Sequence, residues 1–156
     1  MRKWQLFTLL VGVVLILDQG TKFWVYTTFE LGDSRPILTH FLSWTYVQNP
    51  GAAFGLLSQL SETFRRFFFP IVTLIAVGAL TLYFVFTPQE RIYTLLGTGG
   101  IIGGAIGNGI DRLWLGKVID FIDIYWYTHH WPAFNLADSA ICVGVGLLLF
   151  DAFRQP

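Results

Sequence analysis

The sequence has little of what soluble enzymes and nucleic-acid-binding proteins usually carry. Only 13% of its 156 residues are charged, against about 25% in a soluble domain, so the chain is too apolar to cover itself with polar surface. Ten basic residues balance ten acidic ones, which leaves no basic stripe for a nucleic-acid partner. A single cysteine excludes an internal disulfide, and no zinc-type spacing occurs, so we predict no metal and no cofactor.

Apolar and aromatic residues are in excess instead. Hydrophobic residues make up 54% of the chain and include six Trp and fifteen Phe, a composition typical of membrane interfaces and lipid-facing surfaces. Four segments approach the roughly 20 residues that cross a bilayer, namely 4–26, 67–86, 92–110 and 134–153. We therefore predict one all-α integral membrane domain over residues 1–156. Its first segment is expected to stay as a helix, because no signal-peptide cleavage site follows it.

Two long connections, at about 27–66 and 111–132, separate these segments. In the first, Leu42, Trp44 and Tyr46 fall at every second position, which predicts a short strand at the membrane interface. The second is predicted to be a loop with aromatic residues. The expected fold is thus four transmembrane helices with a small interfacial loop region that contains β-structure.

Four crossings place both termini on one side of the membrane and both long connections on the other. The polar residues of the helix ends then collect on the side of the connections: Asp18, Lys22, Asn108, Asp111, Arg112, Asn135 and Asp138. Lys and Arg residues divide almost evenly between the two sides, so the positive-inside rule does not fix the orientation.

Two pairs of residues on the side of the connections allow alternative interpretations. Asp18 and Lys22 are four residues apart on a helix and can pair, either to neutralise the helix end or to support a site. Asp120 and Asp123 lie among Ile and Phe residues. They are either solvated loop acids or partly desolvated carboxylates of the kind that share a proton.

Asp138 also has two interpretations, because it stands at the start of the last apolar segment. An acid there can accept backbone N–H bonds and meet the positive end of the helix dipole, with Asn135 as the N-cap and Asp138 at the third helical position. Alternatively, Asp138 supplies chemistry. Within the same segment, Cys142 is expected to be a small buried residue and not a nucleophile.

Glycines recur every four residues in the third segment, at Gly99, Gly103 and Gly107. Small residues at this spacing let helices approach one another closely. The pattern therefore predicts helix packing and not a ligand site.

Five motifs occur in one order along the chain: 18–22 (DQGTK), 49–55 (NPGAAFG), 104–112 (GAIGNGIDR), 118–121 (VIDF) and 134–139 (FNLADS). Together they resemble the bacterial lipoprotein signal peptidase family, also called signal peptidase II, over essentially the whole chain. The resemblance implies a membrane aspartic endopeptidase that removes the signal peptide from prolipoproteins. Its substrates would carry a diacylglyceryl-modified cysteine, and cleavage would occur just before that cysteine.

The resemblance also implies the site residues. The catalytic pair of the family falls on Asp120 and Asp138, which would activate a water, whereas Asp123 would not be catalytic. Residues expected to bind substrate or support the site are Asp18, Lys22, Asn49, Gly51, Asn108, Asp111, Arg112 and Asn135. The loop at about 29–60 would form a cradle over the site, where the small residues at 51–53 let the substrate backbone pass closely.

The same resemblance implies a location and neighbours. The protein would lie in the bacterial cytoplasmic (inner) membrane among lipids, with both termini cytoplasmic and the active site near the extracytoplasmic face. A monomer is expected to suffice for the chemistry, and no nucleic acid is involved. From the residues alone, two other classes stay open: a small transporter or channel with acids along a cation path, and a non-catalytic assembly subunit that packs through its glycine face.

Overall fold

The computed structural model of the chain describes residues 2–52 and 55–154. Its helices are Lys3–Thr28 (α1), Glu62–Phe86 (α2), Ile92–Leu115 (α3) and Leu136–Arg154 (α4). Its strands are Ser34–Leu38 (β1), Leu42–Asn49 (β2), Val118–Trp126 (β3) and His129–His130 (β4). The four predicted helices and the strand over 42–49 are confirmed.

Two helix boundaries differ from the prediction, and local capping explains both. α2 begins at residue 62 instead of 67, because the Ser61 hydroxyl accepts a hydrogen bond from the Phe64 amide and starts the helix earlier. α3 continues to residue 115 instead of 110. It ends where Gly116 adopts a left-handed conformation with φ of 71°, which is a common way for helices to end.

Within the described ranges, three helices are long and apolar enough to cross a membrane: α1, α2 and α4. α3 is 24 residues long, but seven glycines between positions 97 and 109 lower its mean hydropathy. α3 is also the helix with the most buried residues, and it packs against the other three. Its composition therefore suits contact with protein more than contact with lipid, and the fourth crossing stays a prediction.

The glycines of α3 form two packing faces. One face meets α1 through Gly99, Gly103 and Gly107. The other face meets α4 through Gly97, Gly100 and Gly104. A Cβ atom at Gly107 would lie 2.5 Å from a carboxylate oxygen of Asp18, and one at Gly104 would collide with the carbonyl oxygen of Ala137. The predicted role of the glycine spacing in helix packing is thus confirmed.

The strands form one antiparallel sheet in the order β1-β2-β3-β4. In its register, Val47 of β2 lies opposite Asp120 of β3, and Asn49 lies opposite Val118. The prediction of a loop over 119–123 is therefore wrong. Residues 118–121 are all buried, so β3 shows no alternation of apolar and polar positions from which a strand could be recognised.

The helices alternate in direction, as the parity of four crossings predicts. At one end of the bundle, the Lys3 ammonium donates to the carbonyl oxygen of Val85 at 2.7 Å, and Arg91 pairs with Asp151 at 2.9 Å. These contacts bring together the beginnings of α1 and α3 and the ends of α2 and α4. The sheet lies at the opposite end, together with Asp18, Lys22, Asn108, Asp111, Arg112 and Asp138 of the helices.

Cys142 is exposed, so the expectation of a buried cysteine is wrong. The face of α4 that packs on α3 is formed by Ala140 and Gly144. Cys142 lies on another face, next to the exposed Val143, where lipid would cover a small apolar side chain.

Substitution of Gly104 by alanine tests the packing between α3 and α4. The added methyl group must displace backbone of α4, so we expect the free energy of unfolding to fall by about 1–3 kcal/mol, seen as a lower thermal midpoint in detergent. Gly78→Ala is the matched control, because a Cβ there meets nothing within 4 Å. Alanine should be neutral or stabilising at that position, by up to about 1 kcal/mol. Equal midpoints for the two variants would contradict this packing.

Candidate active site

Asp120 lies near the start of β3 and is buried, with 3% of its surface exposed. Two side-chain amides donate to its carboxylate. Asn135 Nδ2 lies 2.8 Å from Oδ1, and Asn49 Nδ2 lies 3.1 Å from Oδ2. Asp120 is therefore held from both sides, by the start of α4 and by the end of β2.

Asp138 occupies the first turn of α4. The Asn135 side-chain oxygen accepts from the Asp138 amide at 2.9 Å, and Asp138 Oδ2 accepts from the Asn135 amide at 3.2 Å. These reciprocal bonds form a capping box, so the predicted capping arrangement is confirmed. The other carboxylate oxygen, Oδ1, accepts from Asn108 Nδ2 at 2.8 Å. The carboxylate therefore reaches α3 while it caps α4.

Asn135 and Asn108 connect the two aspartates. Asn135 Nδ2 donates to Asp120 and also approaches Asn108 Oδ1 at 3.2 Å, while Asn108 donates to Asp138. Burial raises the pKa of Asp120 to about 7, and the negative charge of Asp138 acts in the same direction. The hydrogen bonds from Asn49 and Asn135 oppose this rise without cancelling it.

A buried ion cluster lies beneath these amides. The Lys22 ammonium contacts Asp18 Oδ2 at 2.8 Å, Asp111 Oδ2 at 2.9 Å and Asn108 Oδ1 at 2.8 Å. The predicted pairing of Asp18 with Lys22 is thus confirmed. The two acids also accept backbone bonds from Ala137 at 2.9 Å and from Ile119 at 3.1 Å. The cluster therefore joins α1 and α3 to the start of α4 and to β3.

One member of this cluster was not predicted from the sequence. The Gln19 side-chain amide donates to Asp18 at 3.0 Å and to Asp111 at 3.2 Å. Its position directly after Asp18, within the motif at 18–22, was the available signal.

Arg112 fastens the loop that follows β2. Its guanidinium donates to the carbonyl oxygen of Gly51 at 3.1 Å and lies over the ring of Phe69 at 4.5 Å. A Cβ at Gly51 would collide with the carbonyl oxygen of Leu56, so the turn closes only around a glycine. Of the small residues predicted to admit the substrate backbone, Ala53 lies outside the described residues.

A cavity of about 440 Å³ opens beside Asp120. Its walls come from the end of β2, the loop before α2 and the segment before α4, and include Val47, Asn49, Ser58, Gln59, Pro132 and Ala133. This placement gives Asp120 a space in which another molecule can approach the carboxylate.

Asp123 is separate from this site. Three positions separate it from Asp120, and an odd separation on a strand turns two side chains to opposite faces. Asp123 instead contacts His130 Nδ1 at 2.9 Å, and the His130 ring stacks on Tyr125 at 4.8 Å between centroids. The structure therefore does not bring Asp120 and Asp123 together as a carboxylate pair.

Comparisons with known proteins agree with this arrangement. A family model described as Signal peptidase (SPase) II matches residues 10–154. The chain belongs to the signal peptidase II family. This membership makes the protein a membrane-embedded protease and sets aside the transporter and assembly-subunit interpretations.

Similar signal peptidases cover nearly the whole chain. The lipoprotein signal peptidase of Geobacter metallireducens is 47% identical over 97% of this chain and 93% of its own length. The lipoprotein signal peptidase of Syntrophus aciditrophicus is 43% identical over 96% of this chain and 93% of its own length. A bacterial membrane enzyme solved by the in meso method at 2.3 Å has a TM-score of 0.86 and 37% identity, over 96% of this chain and 88% of that one.

Removal of the Lys22 charge tests the ion cluster. Lys22→Met leaves two buried carboxylates without their cation, so we expect a loss of about 3–5 kcal/mol in the free energy of unfolding. Arg35→Met is the control, because the Arg35–Asp33 pair is exposed and 3.6 Å apart. It should cost no more than about 1 kcal/mol. Denaturation of both variants in detergent measures the difference, and similar losses would contradict a structural role for the cluster.

Proposed function

We propose that this protein removes the signal peptide from diacylglyceryl-modified prolipoproteins by cleaving before the lipidated cysteine. The name of its relatives, lipoprotein signal peptidase, supports this class of substrate. The observation that carries the proposed mechanism is the pair Asp120 and Asp138, which Asn135 and Asn108 connect. Because the charge of Asp138 raises the pKa of Asp120, the pair favours a state in which one of the two carboxylates is protonated.

The environments of the two acids favour a division of roles. Asp138 accepts hydrogen bonds from Asn108 and from the Asn135 amide at a helix N-terminus, which suits an ionised carboxylate. Asp120, whose pKa is raised to about 7, suits the protonated partner. In this division Asp138 is the general base and Asp120 is the general acid.

The proposed reaction is an addition of water to the scissile carbonyl. Asp138 takes a proton from water as the water oxygen bonds to the carbonyl carbon, and Asp120 gives its proton to the carbonyl oxygen. The tetrahedral intermediate then loses the C–N bond as the proton held by Asp138 passes to the leaving amine. One hydroxyl of the intermediate returns its proton to Asp120 and becomes the carbonyl oxygen of the new carboxylic acid. No step in this sequence requires a metal.

The remaining residues support this site in the proposal. Asn49 joins Asp120 to the turn at Gly51, and Arg112 fixes the same turn, so the segment over 29–60 covers the cavity as a cradle. Since one chain supplies both aspartates, a monomer suffices. We further propose four crossings with cytoplasmic termini, which would place the sheet and the site near the extracytoplasmic face.

Amide substitutions test the assignment of the two aspartates. Asp120→Asn and Asp138→Asn keep shape but cannot hold the shared proton, so each should lower kcat by about 10²–10⁴-fold or more. Asp123→Asn should keep most of the activity, because Asp123 contacts His130 on the other face of the strand. Cleavage of a diacylglyceryl-modified prolipoprotein by purified, folded variants is the assay. Equal losses in all three would overturn the assignment.

The pH dependence of kcat tests the role of Asp120. Its acid form is present below its pKa of about 7 and is lost above it, so kcat should fall as the pH rises through neutrality. Samples returned to neutral pH after incubation at alkaline pH should regain full activity, which separates titration from unfolding. A kcat that stays constant well above pH 7 would show that no acid of this pKa takes part.

A further inference from the structure

The Lys22 ammonium uses all of its hydrogen-bonding capacity inside the protein. It has three N–H donors and no acceptor, and its three contacts are Asp18, Asp111 and Asn108 at 2.8–2.9 Å. Only 2% of the residue is exposed. The atom of Asn108 that faces Lys22 must therefore be the carbonyl oxygen, because an amide N–H there would meet another donor.

This constraint decides which group Asn108 presents to Asp138. The two ends of a side-chain amide have nearly the same shape, so hydrogen-bond partners alone determine its orientation. With Oδ1 directed at Lys22, the Nδ2 group donates to Asp138 Oδ1 at 2.8 Å. Asp138 thus receives a donor from α3 because a cation of α1 occupies the opposite end of the amide.

Asn135 does not depend on Lys22 in the same way. Backbone groups orient it, because its Oδ1 accepts from the Asp138 amide and its Nδ2 donates to the carbonyl oxygen of Ile119. Asn135 also donates to Asn108 Oδ1, but over a longer distance of 3.2 Å. Without Lys22, the carbonyl end of Asn108 keeps this longer bond, and the amino end is held by Asp138 itself.

We propose that Lys22 is a positioning residue for the reaction, which fixes the side-chain amide of Asn108 so that its NH2 group faces Asp138. In this arrangement Asp138 is kept as the ionised base, and the shared proton stays with Asp120. The inference rests on the proposed function, since it assigns a role relative to the two aspartates. The proposed role goes beyond structural support, because Lys22 determines whether Asn108 presents a donor or an acceptor to Asp138.

Charged groups around Asp120 and Asp138 also act on these two acids. Their electrostatic effect must be distinguished from the effect of the Asn108 orientation. Lys22 of α1, Arg112 of α3 and Asp138 of α4 act electrostatically on Asp120, and Lys22 and Asp18 act on Asp138 with opposite signs. Asp111 completes the ion cluster. Loss of Lys22 alone would therefore change both the local charge and the orientation of Asn108.

A charge-matched double variant separates the two. Lys22→Met with Asp18→Asn keeps the net charge of the ion cluster, whereas Asp18→Asn alone keeps the ammonium on Asn108. We expect the double variant to lose about 10- to 100-fold in kcat relative to the wild type, whose cluster has the same net charge; this is the effect of one hydrogen bond to a charged group. KM should stay within about threefold, because the positioning acts on the chemical step.

The pH profile supplies a readout that a purely structural role would not move. If Asn108 turns its carbonyl oxygen toward Asp138, the ionised base is present only at higher pH. The acid limb of the kcat profile should then move toward neutral pH in the double variant relative to the wild type, whereas loss of the Asp18 charge alone should move it toward lower pH. A double variant with the kcat and acid limb of the wild type would overturn the proposal.

Asn108→Leu keeps the proposal testable if the double variant does not fold. This change removes the donor to Asp138 at similar volume and leaves Lys22 paired with its two acids, so a comparable loss of kcat is expected. Wild-type kcat in Asn108→Leu would overturn the proposal.

Asp120→Asn is measured alongside. If it remains active, the proposed function itself is wrong. If it is inactive while the double variant matches the wild type, only the role of Lys22 fails.

Discussion

The buried Lys22 ammonium is the interaction on which the rest of the structure depends. An unpaired ion in this position would be strongly destabilising, and a pair is tolerated only when its remaining donors and acceptors are satisfied. Here the acids that pair with Lys22 also accept backbone amides of Ile119 and Ala137. One charge therefore connects two helices, a third helix start and the strand that carries Asp120.

The glycines of α3 make this connection geometrically possible. The Asp18 carboxylate lies against Gly107, and the backbone of Ala137 lies against Gly104, at distances that leave no room for a Cβ atom. Close approach of α1, α3 and α4 is what lets a single ammonium and two amides reach from one helix to the next. Helix packing and the polar site are thus consequences of the same small residues.

Two side chains of the candidate site, Asn135 and Asp138, also cap the helix α4. Asn135 and Asp138 form a capping box that satisfies the first turn of α4. The remaining polar atoms of the same two side chains contact Asp120 and Asn108. The position of Asp138 is therefore determined by the start of a helix, which is more rigid than a loop.

Much of this arrangement could be predicted from the sequence, and the exceptions have physical causes. The parity of the apolar segments predicts that the polar helix ends meet, and the spacing of Asn135 and Asp138 predicts the cap. The strand that carries Asp120 could not be recognised, because burial on both faces removes its alternation. The separation of Asp120 from Asp123 depends on that strand, so residue patterns alone left both acids as candidates.

The central claim is that Asp120 and Asp138 hold one proton between them within this network. Infrared difference spectroscopy of the detergent-solubilised protein during a pH titration measures this directly, through the carbonyl stretch of a protonated carboxyl group. The account predicts a band that disappears with a midpoint near pH 7, is absent in Asp120→Asn and persists in Asp123→Asn. A band that is unchanged in Asp120→Asn, or no carboxyl titration near neutral pH, would contradict it.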